Sequence, residues 1–340
     1  MPDGRRQAST PGEADVEGNP HGSDEPGRSH AARRAVAEPR VGAGPRAGGF
    51  WQTGTGVAFA LSSGVCFSVS TVCAQKALGA GLPVTVVAGS RPIIGATFLF
   101  ALTAVAGRQA IAGPAKLRLM GVGLFAAAQI FLLYQSVERI SAPLAVLLLY
   151  TYPALVAVLS LLVLRERLSP VKIAALAASL AGALLIVGLP GAKVTFAGVA
   201  CGLGAGLSLA IYIVLAAAAT RGIKPLTAVS WIQLGAAIAF LPALAFTSHL
   251  GTAGLGWLVP VGLGAGAATA LFLTSVHRLG PTTASIAATI EPISTAALSA
   301  VVLGVTLTAT QAYGGLLIVA ALVLISIDGA RRRSATMSSP

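Results

Sequence analysis

Thr282-Thr-Ala-Ser-Ile-Ala-Ala-Thr-Ile-Glu291-Pro-Ile-Ser-Thr-Ala-Ala-Leu-Ser-Ala-Val-Val-Leu303 is a run of 22 residues with one charge, Glu291. At about 1.5 Å of rise per residue, a helix of this length crosses the ~30 Å apolar core of a bilayer. Glu291 falls near its middle, and no other charged residue occurs between Arg278 and Asp328. An acid at that depth costs roughly 2.5–3.5 kcal/mol on insertion scales, so it is expected to face a cavity. Pro292 follows it. Proline has no N–H to donate, and the carbonyl one turn earlier loses its helical partner. Lipid cannot satisfy that carbonyl, whereas a water- or substrate-filled cavity can.

The rest of the chain repeats this kind of run. Of 340 residues, 55% are hydrophobic and 10% charged, and the mean hydropathy is +0.82. Such a composition excludes a soluble domain and predicts an all-α polytopic membrane protein. Ten spans are expected, at about 53–75, 84–106, 119–137, 142–164, 170–189, 196–219, 226–247, 254–276, 282–303 and 309–327. The net charge of +12 does not form a nucleic-acid face, because the lysines and arginines sit between spans or on the tails. Cys66, Cys73 and Cys201 have no metal-ligand spacing and read as small packing residues, so neither a metal nor a cofactor is expected.

Residues 1–49 hold seven arginines and seven acids and almost no large apolar residue, the composition of a disordered tail. No apolar stretch precedes Phe50, so the first span is expected to serve as its own insertion signal. With this tail in the cytoplasm, the inner loops hold Arg108, Lys116, Arg118, Arg165, Arg167, Lys172, Arg221, Lys224, Arg278 and Arg331 to Arg333. The outer loops then hold only Lys76, Arg139 and Lys193. That asymmetry predicts both termini in the cytoplasm and a multi-pass protein of the plasma membrane.

The chain also reads as one unit written twice. A shift of 139 residues lays Ser136-Val137 on Ser275-Val276, Arg139 on Arg278, Ala145 on Ala284, Pro153 on Pro292 and Leu159-Ser160 on Leu298-Ser299. Upstream a shift of 142 lays Gly56 on Gly198, Gly64 on Gly206, Pro83 on Pro225 and Thr85 on Thr227. Five helices per unit is an odd number, so the second copy enters from the opposite side: ten transmembrane helices as two inverted five-helix repeats. The expected organisation is a tail (1–49), a first unit (50–190), a second unit (191–328) and a C-terminal cytoplasmic tail (329–340). The register also exposes what differs: Glu291 matches Tyr152, Arg91 matches Gln233, Gln129 matches Ala268 and Gln135 matches Thr274.

The run Ala145-Val-Leu-Leu-Leu-Tyr150-Thr-Tyr152-Pro153 through Leu164-Arg-Glu166-Arg-Leu-Ser169-Pro170 and Ala181-Gly182-Ala183 resembles the EamA family of the drug/metabolite transporter superfamily. The pattern there is a tyrosine- or acid-proline, a Leu-Gly-Glu-Arg-Leu-Ser-like turn and a glycine-rich fifth helix. Glu291-Pro292 fits it in the second copy, while Val305 departs from it where Glu166 would have its counterpart. The resemblance covers about residues 53–327 and implies a metabolite carrier. It does not name the substrate.

Among single residues Glu291 is the first candidate for a protonatable site, with helix packing as the plainer alternative. Arg91 is a candidate clamp for a substrate carboxylate or a partner for Glu291, against snorkelling to the outer interface. Tyr150, Tyr152, Gln129, Gln135, Tyr212, Trp231 and Gln233 lie in or near mid-span; each lines the cavity or bonds between helices. Pro153 and Pro292, Glu166 at the end of span four and Ser169 as a helix cap read as structural. Thr308 to Gln311 reads as a capping box, and the clusters Gly202-Leu-Gly-Ala-Gly206 and Gly262-Leu-Gly-Ala-Gly266 as close helix packing.

The function expected is a secondary carrier for a small metabolite, an amino acid or related compound, exported rather than taken up, by proton coupling or exchange. No Walker motif supplies ATP chemistry, and no HExxH motif or paired intramembrane aspartates supply a catalytic centre, so no enzyme is expected. A channel or a non-transporting scaffold is the alternative, and a membrane enzyme stands behind it. The expected partners are a small-molecule substrate and the lipid bilayer; a homodimer is left open. A cysteine introduced within residues 191–193 should react with an impermeant maleimide in intact cells. Labelling only after permeabilisation would reverse the orientation.

Overall fold

A backbone crossing lipid has only itself to hydrogen-bond with, and the computed structural model of the chain meets that demand with helices alone. It describes residues 50–107, 109–140, 142–166, 168–187, 195–245, 252–304 and 308–337, and no strand occurs among them. The helices are α1 (Phe50–Gly79), α2 (Val84–Ala106), α3 (Gly113–Val137), α4 (Ala142–Leu149), α5 (Tyr152–Val163) and α6 (Pro170–Val187). They continue as α7 (Phe196–Ala219), α8 (Pro225–Ala245), α9 (Leu258–Leu279), α10 (Pro281–Ala287), α11 (Ile290–Leu303) and α12 (Ala309–Met337). Among the described residues, eight helical stretches are long and apolar enough to cross a membrane, and Pro170–Ile186 and Ala309–Ile325 are shorter apolar helices.

Two expected spans differ in kind. Residues 142–164 and 282–303 are not continuous helices: the chain breaks at Tyr150–Thr151 and again at Ala288–Thr289. The physical reason is Pro153 and Pro292, which sit in the first turn of α5 and α11, where a missing N–H costs nothing. Several ends also move. α3 starts at Gly113, six residues before the expected start, and α12 runs on to Met337, through residues expected in the tail. The expectations on residues 1–49, 191–193 and Val305 lie outside the described residues.

Side-chain bonds show that successive helices alternate in direction. At one end, called the near end, Arg278 Nη1 donates to Thr55 Oγ1 at 2.6 Å and Arg118 Nη2 to the Ala219 carbonyl at 3.2 Å. At the far end Ser136 Oγ donates to the Gly198 carbonyl at 2.8 Å and Gln311 Nε2 to the Ile186 carbonyl at 3.3 Å. The packing partners recur with the halves exchanged. α1 lies along α9 as α7 lies along α3, and α2 packs on α9 as α8 packs on α3. α11 rests on α1 as α5 rests on α7; α2 meets α8, and α6 meets α12.

Glycines allow these approaches. A Cβ on Gly182 would lie 2.6 Å from the Gly314 carbonyl, and one on Gly314 would lie 2.6 Å from the Gly182 carbonyl. A Cβ on Gly123 would run into the Ile232 carbonyl and lie 2.8 Å from the Ala236 nitrogen. The glycine clusters behave as expected: Gly202 faces Leu148, Gly206 faces Thr151, Gly262 faces Ile94 and Gly266 faces Gly95. Helix ends use ordinary caps. Ser169 Oγ accepts the Lys172 N–H at 3.1 Å, and Thr308 and Gln311 form the reciprocal capping box.

These contacts predict a contrast within one turn of α3. Gly123→Val should lower stability by about 1–3 kcal/mol through overpacking against α8, read as a fall in melting temperature of the detergent-solubilised protein. Gly121→Ala, where a Cβ meets nothing within 4 Å, should leave it unchanged or slightly raised.

Candidate functional site

The site is built on the two breaks. In the second, the Thr289 N–H turns back to the Ile286 carbonyl (3.1 Å) and the Glu291 N–H to the Ala288 carbonyl (3.0 Å). The Ser285 carbonyl is thereby deprived of its helical donor, and the Tyr152 hydroxyl donates to it at 3.3 Å. The first residue of α5 thus caps the second break. Each break is also cradled by a glycine from the first helix of a half. A Cβ on Gly64 of α1 would collide with Ile290 and lie 3.2 Å from the Glu291 nitrogen. A Cβ on Gly206 of α7 would lie 2.8 Å from Thr151 Oγ1 and 3.2 Å from the Leu148 and Leu149 carbonyls.

Glu291 lies at the start of α11, directly after its break. Glu291 is partly buried. Among the described residues the carboxyl makes no hydrogen bond and no ion pair. Arg91, Tyr150 and Tyr152 lie within electrostatic range of it. Arg91 is tied to α1. Its Nε donates to Ser70 Oγ at 3.3 Å and its Nη2 to Thr71 Oγ1 at 3.4 Å, both on α1.

Tyr150 and Tyr152 are buried, with ring centroids 6.3 Å apart. Tyr212 is buried in the same apolar cluster, and the buried Gln233 lies with its amide against Gly95. The sealed side-chain polar atoms without a partner are, among the described residues, the hydroxyls of Ser160 and Ser275. Among the described residues, the side chains of Tyr150, Tyr212 and Gln233 make no hydrogen bond.

Three candidates are not drawn into this group. Trp231 packs edge-on against Phe100 with a centroid distance of 5.3 Å, and Lys116 Nζ lies 5.1 Å over its ring. Gln135 belongs to the far-end surface, where Arg139 Nη1 donates to its Oε1 at 2.8 Å and its own Nε2 donates to Glu138 at 3.3 Å. Gln129 is half-buried on α3 without a hydrogen bond to tie it to Glu291. Residue type and depth put these on the candidate list; the helix face they occupy takes them off the Glu291 group. The reading missed Ser68, Ser70, Thr71, Ser294 and Thr295, the hydroxyls that hold Glu291's backbone and Arg91's guanidinium. The dense hydroxyl run Ser68-Val-Ser-Thr71 was their only signal.

At the near end the two halves are bonded together. Glu166 accepts from Lys172 Nζ at 2.7 Å and from Thr282 Oγ1 of α10 at 2.8 Å. Ser169 Oγ donates to Asp328 of α12 at 3.1 Å. The Thr220 hydroxyl gives its proton to the Ala216 carbonyl at 2.6 Å, so His277 Nε2, at 2.6 Å, must be the donor to it. The largest apolar cluster fills this end, joining Leu119, Val156, Ala216, Val229, Leu273 and Ala284. Among the described residues no side-chain hydrogen bond joins α1 to α3 at the far end, where the α7–α9 bond would have its mirror image.

Comparison with known proteins gives consistent matches. The sequence pattern of the EamA-like transporter family fits residues 54–188 and a second time residues 196–327. An uncharacterized inner membrane transporter of Salmonella typhimurium, YicL, is 28% identical over 207 residues, 59% of this chain and 69% of its own. An uncharacterized transporter of Archaeoglobus fulgidus is 31% identical over 210 residues, 61% of this chain and 75% of its own. A solved crystal structure superposes with a TM-score of 0.68 at 20% identity, covering 80% of this chain and 97% of its own, a likeness of fold.

Glu166 is a structural tie in this geometry. Glu166→Gln keeps the shape but weakens two charge-assisted bonds, and should cost about 1–2 kcal/mol. The expected result is a lower melting temperature in detergent with transport retained. Loss of transport at unchanged stability would give Glu166 a direct role.

Proposed function

We propose that this chain, which belongs to the EamA-like transporter family, is a secondary carrier that moves a small metabolite across the plasma membrane through the cavity at Glu291. Export is favoured over uptake, with an amino acid or related compound as substrate, driven by proton coupling or exchange. The observation that carries this reading is the Glu291 carboxyl itself: partly buried, next to a helix break and, among the described residues, without a hydrogen bond or ion pair. A group so placed takes up and gives up a proton without breaking any bond that holds the fold. Arg91 supplies the opposite charge, with guanidinium N–H groups left over for a substrate carboxylate.

The transport cycle follows from reading the helices as two inverted five-helix repeats, 50–190 and 191–328. That reading is supported by the exchanged packing partners, by the two-fold match of the family pattern and by a break at the matched positions before Pro153 and Pro292. Inverted repeats put the substrate site at the midplane and let the two halves rock around it. The charge asymmetry of the loops favours cytoplasmic termini. In that orientation the bonded near end is the cytoplasmic one, and the cavity is served from outside. Tyr150, Tyr152, Tyr212 and Gln233 line it, and Gln129 and Trp231 act further from the substrate.

A flux screen in proteoliposomes with an imposed proton gradient and a metabolite panel tests this. Saturable flux with counter-transport is expected; non-saturating flux would make the protein a channel. Glu291→Gln should remain monodisperse and lose gradient-driven transport, while Glu291→Asp should keep partial activity with a displaced pH optimum. Full pH-dependent transport by Glu291→Gln would sink the coupling role.

A further inference from the structure

Arg91 and Glu291 carry opposite charges within electrostatic range and form no ion pair. That needs a physical cause, because opposite charges in contact inside a protein attract far more strongly than in water. We infer that the strip Ser68–Thr71 of α1 is a spacer that holds the two charges apart, so that both stay free toward the cavity. The inference rests on the carrier reading above only for what the free charges are used for.

Each end of the strip holds one charge-bearing segment. Ser70 Oγ gives its proton to the Val261 carbonyl of α9 at 2.7 Å, so it can present only a lone pair to its other neighbour. That neighbour is Arg91 Nε at 3.3 Å, and Thr71 Oγ1 takes Nη2 at 3.4 Å. The guanidinium is drawn onto α1. Two to three residues earlier, the single Ser68 proton is shared among the Gly64 carbonyl at 2.9 Å, the Glu291 carbonyl at 3.1 Å and Ser294 Oγ at 2.8 Å, and Thr295 Oγ1 donates to Ser68 Oγ at 2.9 Å. These bonds pin the first turn of α11 to α1, and Gly64 gives it room to lie that close. Two or three residues of helix separate the anchors, about 3–4.5 Å along the axis.

The strip exists in one half only. At the shift of 142 residues Ser68, Ser70 and Thr71 fall on Ala210, Tyr212 and Ile213, which cannot reproduce it. It accompanies Arg91 and Glu291, and their mates Gln233 and Tyr152 carry no charge to separate. The bonds to Arg91 are long, so their removal should tip the balance toward a direct Arg91–Glu291 pair. The titratable groups facing Glu291 are Arg91 of α2 and Tyr150 and Tyr152 of the α4–α5 segment. α1 itself carries Cys66, Cys73 and, in its last turn, Lys76, α6 carries Lys172, which is bound to Glu166, and α12 carries Tyr313 and Asp328.

The test needs protons as its only probe. The protein is reconstituted in lipid, and the protonated-carboxyl infrared band of Glu291, identified by its absence in Glu291→Gln, is followed against pH. In Ser70→Ala/Thr71→Val the band should vanish at a pH lower by about one unit or more than in the parent chain, because a guanidinium in contact favours the carboxylate. Thr71→Val alone, which keeps the Ser70–Val261 bond, should shift it the same way by less. Adding Arg91→Gln should erase the shift. An unchanged titration in both variants, or a shift that survives Arg91→Gln, overturns the spacer. A failure of the coupling role shows instead in the flux of Glu291→Gln, so the two can be told apart.

Discussion

Every backbone N–H and C=O inside a membrane must find a partner within the protein, and the two helix breaks are where this chain does not do so by helix formation alone. Pro153 and Pro292 impose them. The second break is satisfied from outside its own segment. Tyr152 caps the freed Ser285 carbonyl, Ser68 reaches the Glu291 carbonyl, and Gly64 lets α1 lie against both. Once that is arranged, the position of Glu291 is no longer adjustable. The carboxyl sits beside irregular backbone, which is tolerated at membrane depth only where protein buries it or a water-filled cavity lies against it.

Close packing supplies the rest. Small residues at the α3–α8, α2–α9 and α6–α12 crossings bring backbones nearly into contact, which is how helices associate where lipid removes the hydrophobic drive between them. Pairing between the halves is dense at the near end and thin at the matching α1–α3 contact of the far end. In the proposed carrier this inequality is a state: one gate closed by a histidine–threonine bond and a buried glutamate, the other not. A symmetric scaffold holding an asymmetric set of contacts is what alternating access needs, since the contacts can be exchanged without altering the fold.

The chain also shows how a membrane site can keep opposite charges from neutralising each other. Arg91 is engaged by hydroxyls rather than by a carboxylate, and Glu291 is fixed by its backbone rather than by its side chain. Both arrangements leave the charged atoms uncommitted. Neutral hydroxyl partners suit that purpose, because they satisfy part of a guanidinium without cancelling its charge.

Much of this was legible in the residue order. The apolar runs pointed to an all-helical membrane protein, and the prolines marked the two weak points in it, with a lone acid beside one of them. Those features are local: hydropathy, a missing N–H and an uncompensated charge have the same consequence in any membrane. The break itself was read only as an opened helix, because how far a proline disrupts a span depends on which neighbours accept the freed carbonyls. Trp231 turns to Phe100 and Lys116 and Gln135 to Arg139 and Glu138, which a period of 3.6 residues cannot foretell when a span is apolar all round. Ser68, Ser70 and Thr71 looked like ordinary small residues of a first helix. Only the tertiary structure, by laying α1 between α2 and α11, brought them to Arg91 and to the backbone of Glu291, because a hydroxyl has no role until a partner is brought within hydrogen-bonding distance of it.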